Sequence, residues 1–241
     1  MSQLVLAPDP HHLAHKAACH ITALATQAIT QRGTFSLALA GGSTPTSTYR
    51  FLATEEFASR IDWTCIHIFF GDERCVPPDH HQSNYRMAWD SFLRHVPIPE
   101  KQIHRIQGEL DVEVVARKYE YGLRDHVAAY PVFDLVLLGL GSDGHTASIF
   151  PGTEAIHEET RWVLPVYHQQ QATWRISLTP AFIQRAQQVT FIVSGEEKAE
   201  IIRQVLHGPY QPDLIPAQMI SSQSGQVSWY LDQAAASLLP E

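Results

Sequence analysis

The sequence predicts an α/β fold: a mostly parallel sheet with helices on both faces and a small C-terminal subregion, in a single domain over residues 1–241. Three observations carry that expectation. Short apolar runs alternate with stretches of helical period, as in a parallel sheet covered above and below. The run Phe133 to Leu138 has almost no polar face, which suits a central strand buried on both sides. Glycines follow the runs (Gly41-Gly42, Gly71, Gly139, Gly195), and in such sheets ligands bind beyond the carboxyl ends of the strands.

Leu13, Ala17, Ile21, Leu24, Ala28 and Ile29 recur at helical spacing, and Gly33 is placed to end that helix. Phe35 to Ala40 reads as a buried strand, followed at once by Gly41-Gly42-Ser43-Thr44-Pro45. Pro45 fits a first helical position with Thr44 or Ser43 as cap. A helix start of that kind presents free N–H groups to a phosphate or carboxylate, although a plain βα turn has the same composition. Ile66 to Phe70 is the next strand, and Gly71-Asp72-Glu73-Arg74 puts three charges at its end in a loop stiffened by Pro77-Pro78. That loop is either a platform for a functional arginine or a solvated turn with a weak ion pair. Ser83-Asn84 begins a helix with Tyr85, Trp89, Phe92 and Val96 on one face. A helix carrying Val112, Val115, Tyr119 and Leu123 precedes the central strand. Arg161 to Val166 and Trp174 to Leu178 read as strands, and Thr179-Pro180 starts a short helix. Val189 to Val193 is buried strand, and Ser194 to Lys198 turns into a helix through Ile202 and Leu206. Lys198 falls in the first turn, where the helix dipole disfavours a cation. That placement hints at function; a surface lysine is the plain alternative. Ala217 to Ile220 and Val227 to Leu231 read as final strands.

Composition narrows the class. A formal charge of -8 over 241 residues argues against a general nucleic-acid binder, but not against a small anionic ligand, which needs only local positive potential. No apolar run reaches the roughly 18 to 20 residues of a membrane span, and the N-terminus lacks the basic and apolar regions of a secretory signal. Cys19, Cys65 and Cys75 are scattered, so neither a zinc knuckle nor a disulfide framework is expected, and a cytoplasmic location is. His80-His81 has no carboxylate at ligand spacing, so no metal site is expected there. Oligomeric state stays open between monomer and weak dimer.

The stretch FDLVLLGLGSDGHTASIFPG, Phe133 to Gly152, carries the chemistry. A carboxylate, Asp143, and an imidazole, His145, sit on a glycine loop beyond the central strand; Thr146 to Phe150 reads as a short helical turn stopped by Pro151-Gly152. Gly139 to Gly144 satisfies G-x-G-x-x-G. However, Pro151-Gly152 cuts the following helix after barely two turns, and Glu158-Glu159 precede the next strand instead of ending it where a ribose-binding acid belongs, so a dinucleotide is disfavoured. The segment 41–45 lacks the last glycine of G-x-S-x-G, so a serine hydrolase fits no better. What remains is a neutral-pH base with a carboxylate and scattered cations, a set for base-assisted chemistry on an anionic substrate. A loop histidine that bonds locally is the bland alternative.

Five segments together resemble the 6-phosphogluconolactonase family: GGSTPTSTY, GDERCVPPD with SNYRMA, VLLGLGSDGHTASIFPG, RISLTP and VSGEEKAEII. The related glucosamine-6-phosphate deaminases share G-x-G-x-D-G-H but continue H-I-A-F-N-E-P. Here Phe150 stands in the glutamate's place, and the deaminase D-E-Y is D-E-R at Arg74. The resemblance implies a Rossmann-like fold and hydrolysis of 6-phospho-D-glucono-1,5-lactone to 6-phosphogluconate without metal or organic cofactor. It implies His145 as the base and Asp143 as its support, or as a partner for a substrate hydroxyl. Gly41, Gly42, Ser43, Thr44, Arg74, Lys198 and, on its R-x-S/T-L-T pattern, Arg175 would hold phosphate or developing charge. A deaminase-like enzyme and a non-catalytic sugar-phosphate binder are the alternatives.

Overall fold

The computed structural model describes residues 3–129, 132–220 and 226–240. In chain order it builds β1 (Gln3–Ala7), α1 (Pro10–Arg32), β2 (Phe35–Leu39), α2 (Ser43–Leu52), α3 (Glu55–Ala58), β3 (Ile66–Phe70) and β4 (Asp72–Arg74). There follow α4 (Asn84–Ser91), α5 (Val112–Ala129), β5 (Leu135–Leu138), β6 (Val163–His168), β7 (Thr173–Leu178), α6 (Pro180–Ile183), β8 (Gln188–Val193), α7 (Ala199–His207) and β9 (Gln226–Asp232). No helix among the described residues is long and apolar enough to cross a membrane.

Six strands form one sheet in the order β1-β9-β8-β5-β2-β3, and every neighbouring pair is parallel. Strands β2 and β5 are buried at every residue, so the run without a polar face is a central strand as the sequence predicts. Local rules place most helix ends. Asp9 accepts from His12 N at 2.9 Å to start α1, and Gly33 ends it by donating to Ile29 O at 2.8 Å. Ser83 caps α4 and Thr179 caps α6. Two buried tyrosines fasten the ends of β2 and β3. The Tyr49 hydroxyl accepts from Ala40 N (3.0 Å) and donates to Ala40 O (2.8 Å). The Tyr119 hydroxyl does the same for Phe70, at 2.8 and 3.0 Å.

The expected C-terminal subregion is corrected. The added element is a three-stranded antiparallel sheet, β4-β7-β6, from the middle of the chain, while the C-terminal strand β9 lies inside the main sheet between β1 and β8. Residues 169–172 are too few for a crossover, so β6 and β7 must pair as a hairpin. The charged loop 72–74 becomes its third strand, with Asp72 opposite Ser177 and Arg74 opposite Arg175. Three further expectations shift. Ala217 to Met219 lie in a 3₁₀ turn, Pro216–Met219, and Ile220 follows it as the C-cap. Helix α4 stops at Ser91, and a separate 3₁₀ turn, Leu93–His95, carries the chain toward Val96. Thr146 to Phe150 is a tight turn closed by a Thr146–Ile149 bridge, with Ala147 at φ 49°, which no right-handed helix admits.

Away from the strand ends, His67, His104 and His126 gather around Phe69. The His104 and His126 ring centroids lie 4.3 and 4.8 Å from that of Phe69, and His67 Nδ1 is 3.1 Å from His104 Nε2. Burial lowers all three imidazoles, His104 and His126 to about 4; repulsion from His67 adds to the shift of His104, repulsion from His67 and His104 to that of His126, and the charge of Lys101 to that of His67. The fold therefore favours the neutral rings. Their contribution is complete above the unfolded value near 6.5 and is lost as pH falls from there toward 4. The melting temperature is expected to drop by ~5 °C or more between pH 7 and pH 4.5, and His104→Phe should shrink that drop. Equal drops in parent and variant would contradict this account.

Candidate active site

The loop after β5 is tied by its own short bonds. Gly141 N donates to His145 O (2.8 Å), Gly144 N to Gly141 O (3.0 Å) and Thr146 Oγ1 to Gly139 O (2.8 Å). This closure aims the Asp143 carboxylate back at His145, with Oδ1 3.1 Å from its backbone N and 2.5 Å from Nδ1. Burial pushes the Asp143 carboxyl up, but the hydrogen bond and charge of His145 outweigh it and hold it down at about 2. Asp143 is thus an acceptor only, so Nδ1 carries the proton and Nε2 is the basic nitrogen. Position 141 must be glycine for this packing, because a Cβ there would stand 2.1 Å from Nδ1 and 2.5 Å from Asp143 Oδ1.

The loop opens on a cleft of about 280 Å³ at the carboxyl ends of β2, β3, β5 and β8, small but close to the size of ligand pockets. Gly41, Gly42, Ser43, Thr44, Arg74, Gly141, His145 and Lys198 all line it. Helix α2 starts two residues earlier than expected. Gly42 is its cap residue, with no side-chain cap, and none of the described hydrogen bonds uses the N–H of Ser43 or Thr44. Those donors, at the positive end of the helix, are available to an anion. Gly41 is held by close approach: a Cβ would fall 2.3 Å from Asn84 Oδ1.

Two cations reach the same cleft. Arg74 donates from Nη1 to Gln82 O at 2.6 Å, and its buried Nε has no hydrogen-bond partner. Neither Arg74 nor Lys198 has a salt-bridge partner among the described residues. Arg175 differs. It is buried opposite Arg74 across β4 and β7, bonds Gln171 Oε1, and is not among the residues lining the cleft. Burial, then the like charge of Arg74, lowers its guanidinium from the ordinary value.

Asp72 is a lining residue to which the sequence assigned no role. It is buried, and its carboxylate accepts from Ser148 Oγ (2.6 Å) and Asn84 Nδ2 (3.1 Å). The charged triplet 72–74 was its one sequence signal. Asp9, His11 and His12 stand close enough together to share a metal ion, but they lie at the start of α1 and none lines the cleft.

A parallel sheet that sets a carboxylate-bonded imidazole, open helix N–H groups and two cations without a salt-bridge partner among the described residues around one cleft is the arrangement of an α/β protein that receives a small anionic ligand. The chain belongs to the family described as glucosamine-6-phosphate isomerases/6-phosphogluconolactonase, whose model matches residues 8–229. It is 40% identical over 218 residues to a 6-phosphogluconolactonase of Nostoc sp., covering 88% of each chain. To the 6-phosphogluconolactonase of Haemophilus influenzae it is 37% identical over 203 residues, covering 84% of this chain and 87% of the relative. The solved 6-phosphogluconolactonase of Trypanosoma brucei superposes with a TM-score of 0.87 at 30% identity, covering 100% of this chain and 99% of that one.

Proposed function

We propose that this enzyme hydrolyses 6-phospho-D-glucono-1,5-lactone to 6-phosphogluconate, the second step of the oxidative pentose phosphate pathway. It works as one domain over residues 1–241, in the cytoplasm, where three free cysteines suit a reducing medium. The observation that carries the reading is the 2.5 Å contact between Asp143 and His145 Nδ1, on the wall of a cleft that Arg74, Lys198 and the start of α2 also line. His145 Nε2 takes a proton from water as its oxygen bonds to the lactone carbonyl carbon. The ring C–O bond then breaks, and the departing hydroxyl oxygen receives the proton back from Nε2. Asp143 holds the tautomer and stabilises the imidazolium formed in between. The Ser43 and Thr44 N–H groups, beside the glycines Gly41 and Gly42, hold the phosphate with Arg74 and Lys198. Arg175 adds positive potential from behind Arg74. A lactone is an activated ester, so a placed base and fixed charge are sufficient and no covalent intermediate is needed.

The test is lactone hydrolysis assayed beside glucosamine-6-phosphate deamination on one preparation. Lactone turnover alone supports the reading, and deamination at the higher rate replaces it. Arg74→Ala and Lys198→Ala should each raise KM roughly tenfold with a smaller change in kcat, as loss of a charged hydrogen bond to bound phosphate requires. Parental KM in both variants would place the phosphate elsewhere.

A further inference from the structure

One hydrogen bond fixes the distance of an imidazole from its partner but not its rotation about that bond. The His145 side chain is 31% exposed, and Asp143, its bonded partner, is 52% exposed. Neither exposure nor a single contact explains a base held in one orientation, so packing must supply the rest. Gly141 closes one approach, because the ring packs so near its backbone that a Cβ there would stand 2.1 Å from Nδ1 and 2.2 Å from Cε1. Phe150 supplies another wall: its ring centroid is 4.8 Å from that of His145, at an interplanar angle of 53°.

Phe150 is itself pinned. Its carbonyl accepts from Thr153 Oγ1 (2.8 Å), and Gly152 N donates to Asp213 O (3.0 Å) two residues on. Its ring meets His168 edge-on at 4.4 Å and 76°. His168 stands at the end of β6, and its Nδ1 accepts from Gln171 N at 3.2 Å across the hairpin turn. The antiparallel sheet thus reaches the base through two rings. A phenyl ring has no polar atom to compete with Asp143 for Nδ1 or with water for Nε2, so it restrains the imidazole without engaging it.

We propose that Phe150, backed by His168, is a positioning residue that holds the His145 imidazole in the orientation its chemistry requires. This rests on His145 being the base. The test compares Phe150→Leu, Phe150→Tyr and His168→Ala with the parent, with thermal melts to follow the fold. Phe150→Leu is expected to lower kcat roughly 10-fold or more and to leave KM within about twofold. It should also displace the acid limb of the kcat–pH profile, a readout that loss of packing alone does not move. Phe150→Tyr keeps the ring and restores most of kcat. His168→Ala, which leaves Phe150 in place, shifts kcat and the acid limb in the same direction by a smaller factor, and it carries the test if Phe150→Leu does not fold. Parental kcat and acid limb in the folded variants overturn the proposal, as does a fall in kcat that Phe150→Tyr fails to recover. His145→Ala, run alongside, separates the two readings: if it is inactive while Phe150→Leu is parental, only the positioning role fails. If it retains parental activity, the base assignment fails first.

Discussion

His145→Ala lowers kcat roughly 100-fold or more and leaves the melting temperature within about 3 °C of the parent. A loss of that size is what the proposed mechanism requires, in which Nε2 is the base and Asp143 holds the opposite ring nitrogen protonated. With Nδ1 protonated against a carboxylate held down at about 2, no other group on the loop can accept a proton from water at neutral pH. The fold is spared because the side chain is partly exposed and its hydrogen-bond partner is Asp143 on the same loop. The measurement is the initial rate on freshly prepared lactone, with circular dichroism on the same sample. A folded variant working at the parental rate removes His145 from the mechanism.

The largest effect on stability is expected at Glu73, 2% exposed, between the cleft-lining Asp72 and Arg74. Its Oε1 accepts from Arg74 N (2.8 Å) and Asn84 N (2.7 Å), and its Oε2 from Ser83 Oγ (3.0 Å) and Tyr85 N (2.8 Å). One carboxylate therefore closes the start of α4, ties it to β4 and fixes the backbone under Arg74. Burial pushes the carboxyl up, while the four donors pull it the other way. In Glu73→Gln an amide NH₂ replaces one oxygen and faces two donors, leaving buried polar groups unmatched at a cost of about 2–4 kcal/mol. Urea unfolding should show a lower midpoint at unchanged slope. A loss below about 1 kcal/mol would mean that the donors find other partners.

The parts legible in sequence were those whose cause is local. A run without a polar face gave β5, a glycine after it gave the loop, and Asp143 lies two residues from His145, so their contact needs no tertiary knowledge. The illegible parts depend on distant partners. Strand β4 has three residues, too short for any period, and exists because Arg175 to Ser177 pair with it from a hundred residues downstream. Asp72 is held by Ser148, 76 positions away, so nothing near it announces a fixed carboxylate. Thr146 to Phe150 reads as a helical turn only from its place between the glycine loop and Pro151-Gly152, and the Thr146–Ile149 bridge overrides that reading. Arg175 was placed in the site by a pattern that does not tell a lining side chain from the one behind it.

The phenolic fastenings at Ala40 and Phe70 have a consequence for how the ligand is received. Each strand end spends both backbone hydrogen-bonding groups on a tyrosine from a neighbouring helix, immediately before the turns that line the cleft. Those turns do not wait for a ligand to become ordered. Binding then carries little conformational-entropy cost in the main chain, and free and bound enzyme should superpose closely along residues 39–45 and 69–74. Tyr49→Phe and Tyr119→Phe would return that cost to the binding step, making association with the sugar phosphate more enthalpic and entropically less favourable by calorimetry.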